Sequence, residues 1–245
     1  MRSIVVNPFD TSILQFLNQF AQRSISLDQT VAFISEDTFV AGGIATSFYW
    51  WAWFRDSKTK ARDREIILAG LAVSFAALFV ARGLALLLPF RERPYVIPEL
   101  HFRPPLGTLG VYNYLIHWSS FPSDHAVLYF SLATCIYLVS RKAGILSYCH
   151  AFFIVCLPRI YLGDHYPTDV VAGALIGIGI GSLCSIGKLR ALLSRLPLRF
   201  LDYSPAWFYA CFYLCTFLFA TNFNSVRKMG FHAWHLLRSA RHSLI

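Results

Sequence analysis

Charge is scarce in this chain. Only 14% of its 245 residues are Asp, Glu, Lys or Arg, against 56% hydrophobic, and the mean hydropathy is +0.50. A soluble protein of this length could bury a large core, but here several apolar runs approach the ~20 residues that a membrane-spanning helix needs. That excludes a soluble enzyme. Metal-holding spacings are also missing: there is no His-Glu-x-x-His, no cysteine cluster and no pair of inward carboxylates on the apolar runs, so neither a metal nor a cofactor is expected. The six cysteines, Cys135, Cys149, Cys156, Cys184, Cys211 and Cys215, sit in or beside apolar runs and are expected as free, buried thiols. No repeat or low-complexity segment occurs. The apolar piece Ile4 to Val6 is far too short for a signal-peptide core, so the first span is expected to act as the targeting signal.

What is present reads as an all-α, polytopic membrane helix bundle. About six transmembrane helices are expected, at 38–54, 66–90, 126–139, 145–161, 170–187 and 206–223. Before them, Phe9, Ile13, Phe16, Leu17 and Phe20 recur at helical spacing, with Asp10 or Thr11 as a cap. The stretch is too polar to cross and is expected to be an interfacial helix. The divisions are an amphipathic N-terminal segment (1–35), a membrane-embedded domain (36–223) and a basic tail (224–245).

Basic residues orient the chain. Arg55, Lys58, Lys60, Arg62 and Arg64 follow span one, Arg141 and Lys142 follow span three, and Lys188, Arg190, Arg195 and Arg199 follow span five. If all five spans cross, these loops share a side, which the positive-inside rule makes cytoplasmic. Much of the +9 net charge is thereby topological, and no nucleic-acid surface is expected. Arg227, Lys228, Arg238 and Arg241 conflict with a sixth crossing, so either that segment is re-entrant or the tail is an exception. Trp50, Trp51 and Trp53 suit an inner aromatic belt, and Tyr95, Tyr112, Tyr114 and Trp118 an outer one. Gly173, Gly177 and Gly181 recur every fourth residue, which suits close helix approach. His101 and His117 lack a partner pattern and read as structural or solvated.

The opposite face collects the chemistry. Arg91 and Arg93 follow span two, Pro122-Ser123-Asp124-His125 opens span three, Arg159 closes span four, and His165-Tyr166-Pro167-Thr168-Asp169 opens span five. Pro167 suits a first helical turn. Asp169, one turn beyond His165, is expected to take the ring's Nδ1 proton and leave Nε2 bare, as a nucleophile requires. Ser123 is a natural N-cap, and the unpaired N–H groups of a helix start attract anions. Arg93 and Arg159 offer charged forks that match phosphate oxygens. His125 is placed to act as acid and then base. With no metal expected, arginines and backbone dipoles would supply the charge stabilisation.

These segments resemble the type 2 phosphatidic acid phosphatase superfamily, whose motifs read roughly Lys-x6-Arg-Pro, Pro-Ser-Gly-His and Ser-Arg-x5-His-x3-Asp. Here they appear as Arg93-Pro94, Pro122-Ser123-Asp124-His125, and Arg159 with His165 and Asp169 at the family spacing. The resemblance covers about residues 38–187 and is strongest to bacterial undecaprenyl-pyrophosphate phosphatases of the bacitracin-resistance type. Three positions depart. Leu86 stands where the first-motif lysine falls, with Arg82 one turn earlier as a candidate substitute, although helix side chains lean toward the N-terminus. Pro158 replaces the hydroxyl residue before Arg159. Asp124 replaces glycine and would repel phosphate unless paired with an arginine or with His125.

The resemblance implies a metal-independent phosphatase working through a phosphohistidine. His165 is then the nucleophile, Asp169 its support and His125 the acid and base. Arg93, Arg159, Ser123 and the backbone at 124–125 would hold the phosphate, with Arg91 on a second phosphate. The implied partner is a lipid phosphate in the bilayer, foremost a polyprenyl pyrophosphate, and the implied setting is a bacterial inner membrane with an extracytoplasmic site. The alternatives are phosphatidic acid or phosphatidylglycerophosphate as substrate, and a non-catalytic lipid transporter or scaffold.

Overall fold

The computed structural model describes residues 7–107 and 116–223, and among them every regular element is helical. Ile4 to Val6, Tyr112, Tyr114 and the tail 224–245, with Arg227, Lys228, Arg238 and Arg241, lie outside the described residues. In chain order the helices are α1 Pro8–Asn18, α2 Ile25–Glu36, α3 Ile44–Phe54, α4 Lys60–Leu87, α5 Asp124–Val139, α6 Arg141–Cys149, α7 Leu157–Tyr161, α8 Pro167–Ser182, α9 Gly187–Tyr203 and α10 Pro205–Ala220. A π-helical turn, Phe39–Gly43, leads into α3, and another, His150–Cys156, joins α6 to α7.

Among the described residues, three helices are long and apolar enough to cross a membrane: Lys60–Leu87, the α6–α7 run Arg141–Tyr161, and Pro167–Ser185. Two more apolar helices, α5 and α10, are shorter at 16 residues each. At 1.5 Å per residue such a helix reaches about 24 Å, short of the ~30 Å hydrocarbon core. The helical stretches coincide with all six expected spans, while only three meet the length criterion.

α5 is the central helix, contacting α3, α4, α6 and α8. Its side chains from Ala126 to Ile136 are buried nearly all round, including Val127, Leu128, Leu132 and Ala133. Ser123 caps its start, accepting from the Ala126 N–H at 3.5 Å. Against it lies α8, brought close by three glycines. A Cβ at Gly173, Gly177 or Gly181 would fall 2.7, 2.4 or 2.8 Å from the carbonyl oxygens of Ser123, Val127 and Ser131. Lipid is as apolar as leucine, so close van der Waals packing of this kind holds a membrane bundle together.

α10 begins at the end of α3, where Phe208, Tyr209 and Phe212 pack on Trp53. It ends beside Gly42, whose missing Cβ makes room for the Ala220 backbone, and Asn222 then reaches His125. α10 therefore lies antiparallel to the Phe39–Phe54 run.

Several elements differ from expectation. The N-terminal segment forms two helices, and the cap of α1 is Asn7, which accepts from the Asp10 N–H at 2.8 Å. Asp10 is instead fully buried. Phe9 and Phe16 do lie exposed on α1, with Phe20 exposed just beyond its end, as an interfacial helix requires. The basic stretch after span five is the helix α9, anchored by Arg190 to Glu65 at 3.0 Å and carrying exposed Leu192 and Leu196. All six cysteines are free, but only Cys135, Cys156 and Cys184 are buried, because Cys149, Cys211 and Cys215 face outward. His101 and His117 are exposed.

Candidate active site

Pro167 begins α8, and its neighbour Tyr166 holds extended backbone at the N-cap. Asp169, at the third position, turns back to accept the Tyr166 N–H on Oδ2 at 2.8 Å. His165 thus stands one residue ahead of the N-cap of a helix whose first turn is fixed. Its Nδ1 lies 2.8 Å from the Ser120 carbonyl oxygen. A carbonyl can only accept, so Nδ1 carries the proton and Nε2 is the bare nitrogen in the neutral ring.

This corrects the expected partner. Asp169 Oδ2 is 3.7 Å from His165 Nδ1, close enough for charge attraction but beyond a hydrogen bond. The physical reason is competition: Oδ2 is taken by the Tyr166 N–H, and Oδ1 accepts from Arg91 Nη1 at 2.5 Å. The tautomer is set by Ser120, whose N–H donates to the Arg91 carbonyl at 2.9 Å. Being a backbone contact, it left no signal in the sequence.

Arg91 also departs from its expected place on a second phosphate. Its guanidinium donates to Asp169, to Thr168 Oγ1 at 2.9 Å and to Asp10 Oδ2 at 2.7 Å. It lies 4.0 Å above the Tyr166 ring. Burial pushes the Tyr166 hydroxyl up to about 12, despite the opposing pull of Arg91, so this phenol stays neutral. Asp10 was read only as a helix cap. The one available signal was its alignment with Leu14 and Asn18 on a face opposite the phenylalanines.

At the start of α5, the Ser123 N–H donates to the Asp169 carbonyl at 3.2 Å, which ties the second motif to the third. Asp124 forms an ion pair with Arg82, and the guanidinium of Arg82 lies 4.7 Å over the Trp118 ring. Arg82 therefore reaches the layer of the site despite the backward lean of helix side chains. The choice left open for Asp124 falls to an arginine.

His125 lies with its Nε2 3.0 Å from Asn222 Nδ2 at the end of α10, and its ring stacks over Tyr129. With Arg159 and residues of α2 and the following turn, His125, Tyr129 and Asn222 line a cavity of about 30 Å³. That is room for a water or two. Arg159 donates to the Ser35 carbonyl at 3.0 Å and the Val155 carbonyl at 3.0 Å, and Arg93 to the Asp164 carbonyl at 2.6 Å. The structure thus joins His165, Asp169, Arg91 and Ser123 through contacts at Asp169 and Ser120, and lines one small cavity with His125 and Arg159. Arg93 links to the first group through the chain at Asp164. Among the described residues, no three His, Cys, Asp or Glu side chains gather to hold a metal ion.

Comparison with known proteins places these segments in one family. The PAP2 superfamily model matches residues 87–191, which contain all three motif segments. The bacitracin transport permease protein BcrC of Bacillus licheniformis is 30% identical over 167 residues, spanning 67% of this chain and 73% of that protein. The undecaprenyl-diphosphatase BcrC of Bacillus subtilis is 26% identical over 171 residues, 70% of this chain and 80% of that protein. A lipid A 4'-phosphatase of Bacteroides thetaiotaomicron is 43% identical over 77 residues, 31% of this chain and 34% of that protein. Because the first likeness extends over two thirds of the chain and the family match takes in the segments folded around His165, this protein belongs to the PAP2 superfamily.

Proposed function

We propose that this protein hydrolyses the terminal phosphate of a polyprenyl pyrophosphate, foremost undecaprenyl pyrophosphate, through a phosphohistidine on His165. The observation that carries the reading is the commitment of His165 Nδ1 to the Ser120 carbonyl, with the Asp169 carboxylate 3.7 Å behind it. That arrangement presents a bare Nε2 and supports the positive ring that forms when it bonds to phosphorus. The choice of lipid rests on the likeness to the undecaprenyl-diphosphatase.

In this reading Arg93, Arg159, Ser123 and the N–H groups opening α5 hold the terminal phosphate. Arg159 exchanges the Ser35 carbonyl for a phosphate oxygen as the head group enters, since the resting cavity is too small for one. Nε2 of His165 attacks phosphorus in line. The bond to the bridging oxygen breaks, and the His125 imidazolium gives that oxygen its proton, releasing the polyprenyl monophosphate. His125, now neutral, takes a proton from water as the water oxygen attacks the phosphohistidine. The P–N bond breaks, inorganic phosphate leaves and both rings return to their starting state.

The charge stabilisation needs no metal. The site layer lies at the bundle end opposite Arg55, Arg64 and Arg141, which puts it on the extracytoplasmic face if those residues are cytoplasmic. A polyprenyl tail then stays in hydrocarbon while its head group meets the site. The short match to the lipid A 4'-phosphatase favours a second reading, the same chemistry on another lipid phosphate.

The test is phosphate release by the detergent-purified protein in EDTA, from undecaprenyl pyrophosphate and from phosphatidic acid. The reading expects undecaprenyl pyrophosphate to be preferred and EDTA to be without effect. Preference for phosphatidic acid would move the protein to phospholipid metabolism, and loss of activity in EDTA would refute metal independence.

A further inference from the structure

Asp10 has no part in the motifs, yet its carboxylate is fully buried. It belongs to α1, whose opposite face exposes Phe9 and Phe16. Its Oδ1 accepts the Thr168 N–H at 2.8 Å. Its Oδ2 accepts from Thr168 Oγ1, Arg91 Nη2 and Asn7 Nδ2, each at 2.7 Å. Burying a carboxylate is unfavourable until its partners repay it, and well-packed apolar residues in place of a whole buried ion pair commonly serve stability as well. Fold stability alone therefore gives no reason for this residue.

Its partners supply the reason. Arg91 sits between two carboxylates, Asp10 and Asp169, and a third neighbour, Thr168, touches both Arg91 and Asp10. One positive and two negative charges leave the group with a net negative charge beside His165. Without Asp10, Arg91 and Asp169 would pair alone and neutralise each other. The carboxylate 3.7 Å from the imidazole would then offer little to a ring turning positive. Asp10 also accepts the free N–H of the second residue of α8, fixing the turn that carries Asp169.

We propose that Asp10 is a positioning residue for the phosphatase reaction: it shares Arg91 with Asp169 and offsets the guanidinium's charge, so that the Asp169 carboxylate is not neutralised toward His165. This rests on the reading of His165 as the nucleophile, and the controls keep the two separable. Asp10→Asn retains the shape and the acceptor for the Thr168 N–H but removes the charge and turns a donor toward Arg91. With undecaprenyl pyrophosphate as substrate, we expect kcat to fall about 10- to 100-fold with KM within about twofold, in the range of electrostatic losses at such sites. The Asp10→Asn/Arg91→Gln double variant restores the net negative charge and is expected to regain kcat over Asp10→Asn alone. A purely structural role would leave the double variant equal or worse, and that result overturns the proposal.

Thermal unfolding of each purified variant checks that it is folded. If Asp10→Asn does not fold, Asp10→Ser takes its place, since it also removes the charge while leaving a hydroxyl oxygen on the side of the Thr168 N–H. A lowered kcat at constant KM then supports the proposal, and a wild-type kcat overturns it. His165→Ala runs beside them all. If it is inactive while Asp10→Asn is wild-type, the positioning role alone fails. If His165→Ala is fully active, the nucleophile reading fails first.

Discussion

At the scale of single residues, the division of labour behind His165 leads to a measurable expectation. Ser120 fixes the tautomer and Asp169 supplies charge, so Asp169→Asn keeps Nε2 bare and loses only electrostatic support. Two unit charges about 4 Å apart interact by roughly 4 kcal/mol at an effective dielectric of 20, and Arg91 offsets part of that. We expect kcat to fall by about 10²- to 10³-fold, measured as phosphate release with undecaprenyl pyrophosphate. Arg82 and Asp124 make a second case. Arg82→Ala leaves an unpaired carboxylate at the anion-binding end of α5, and should raise KM about tenfold, as for a like charge placed beside a substrate anion. Adding Asp124→Gly should recover most of that loss, whereas no recovery would show that Arg82 itself binds substrate. The motif residues were legible because their chemistry lies in side chains at short, fixed spacings. Ser120 was not, since its contribution is a backbone carbonyl, and Asp10 and Asn222 were not, since they arrive from helices far away in sequence.

At the scale of elements, the glycine ladder of α8 sets how closely α5 approaches, and with it the distance between Ser123 and Asp169. Gly177→Ala puts a methyl 2.4 Å from the Val127 carbonyl oxygen, and overpacking of this kind costs about 1 to 3 kcal/mol. Gly179 on the same helix has open space around it, so Gly179→Ala should be neutral or stabilise by about 0.4 to 1 kcal/mol. Thermal unfolding in detergent would separate the two. An unchanged Tm for Gly177→Ala would contradict the close approach. The helix spans were legible because long apolar runs admit few other structures. α9 was hidden because its apolar residues are interleaved with Lys188, Arg190, Arg195 and Arg199, a pattern that a basic loop beside a membrane also shows. The interfacial α1 was visible in its phenylalanines, but its inward polar face was not, because a buried Asp in isolation looks like a surface residue.

For the whole molecule, a basic end, where Arg55 and Arg64 stack on Trp51 and Trp53, lies opposite the end that carries the proposed site. In a cysteine-free background, Cys introduced at His117 should react with a membrane-impermeant thiol reagent on intact cells, and Cys introduced at Lys58 should not. The reverse pattern would turn the site toward the cytoplasm. The central claim is the covalent intermediate on His165, and the most direct measurement is phosphoenzyme analysis, quenched in alkaline SDS, of His125→Ala given undecaprenyl pyrophosphate labelled in its terminal phosphate. Without His125, water attack on the intermediate should slow, so the account predicts acid-labile, base-stable label on the protein, located at His165 by peptide mapping and absent from His125→Ala/His165→Ala. Label at another residue, or inorganic phosphate formed at the wild-type rate by His165→Ala, would contradict it.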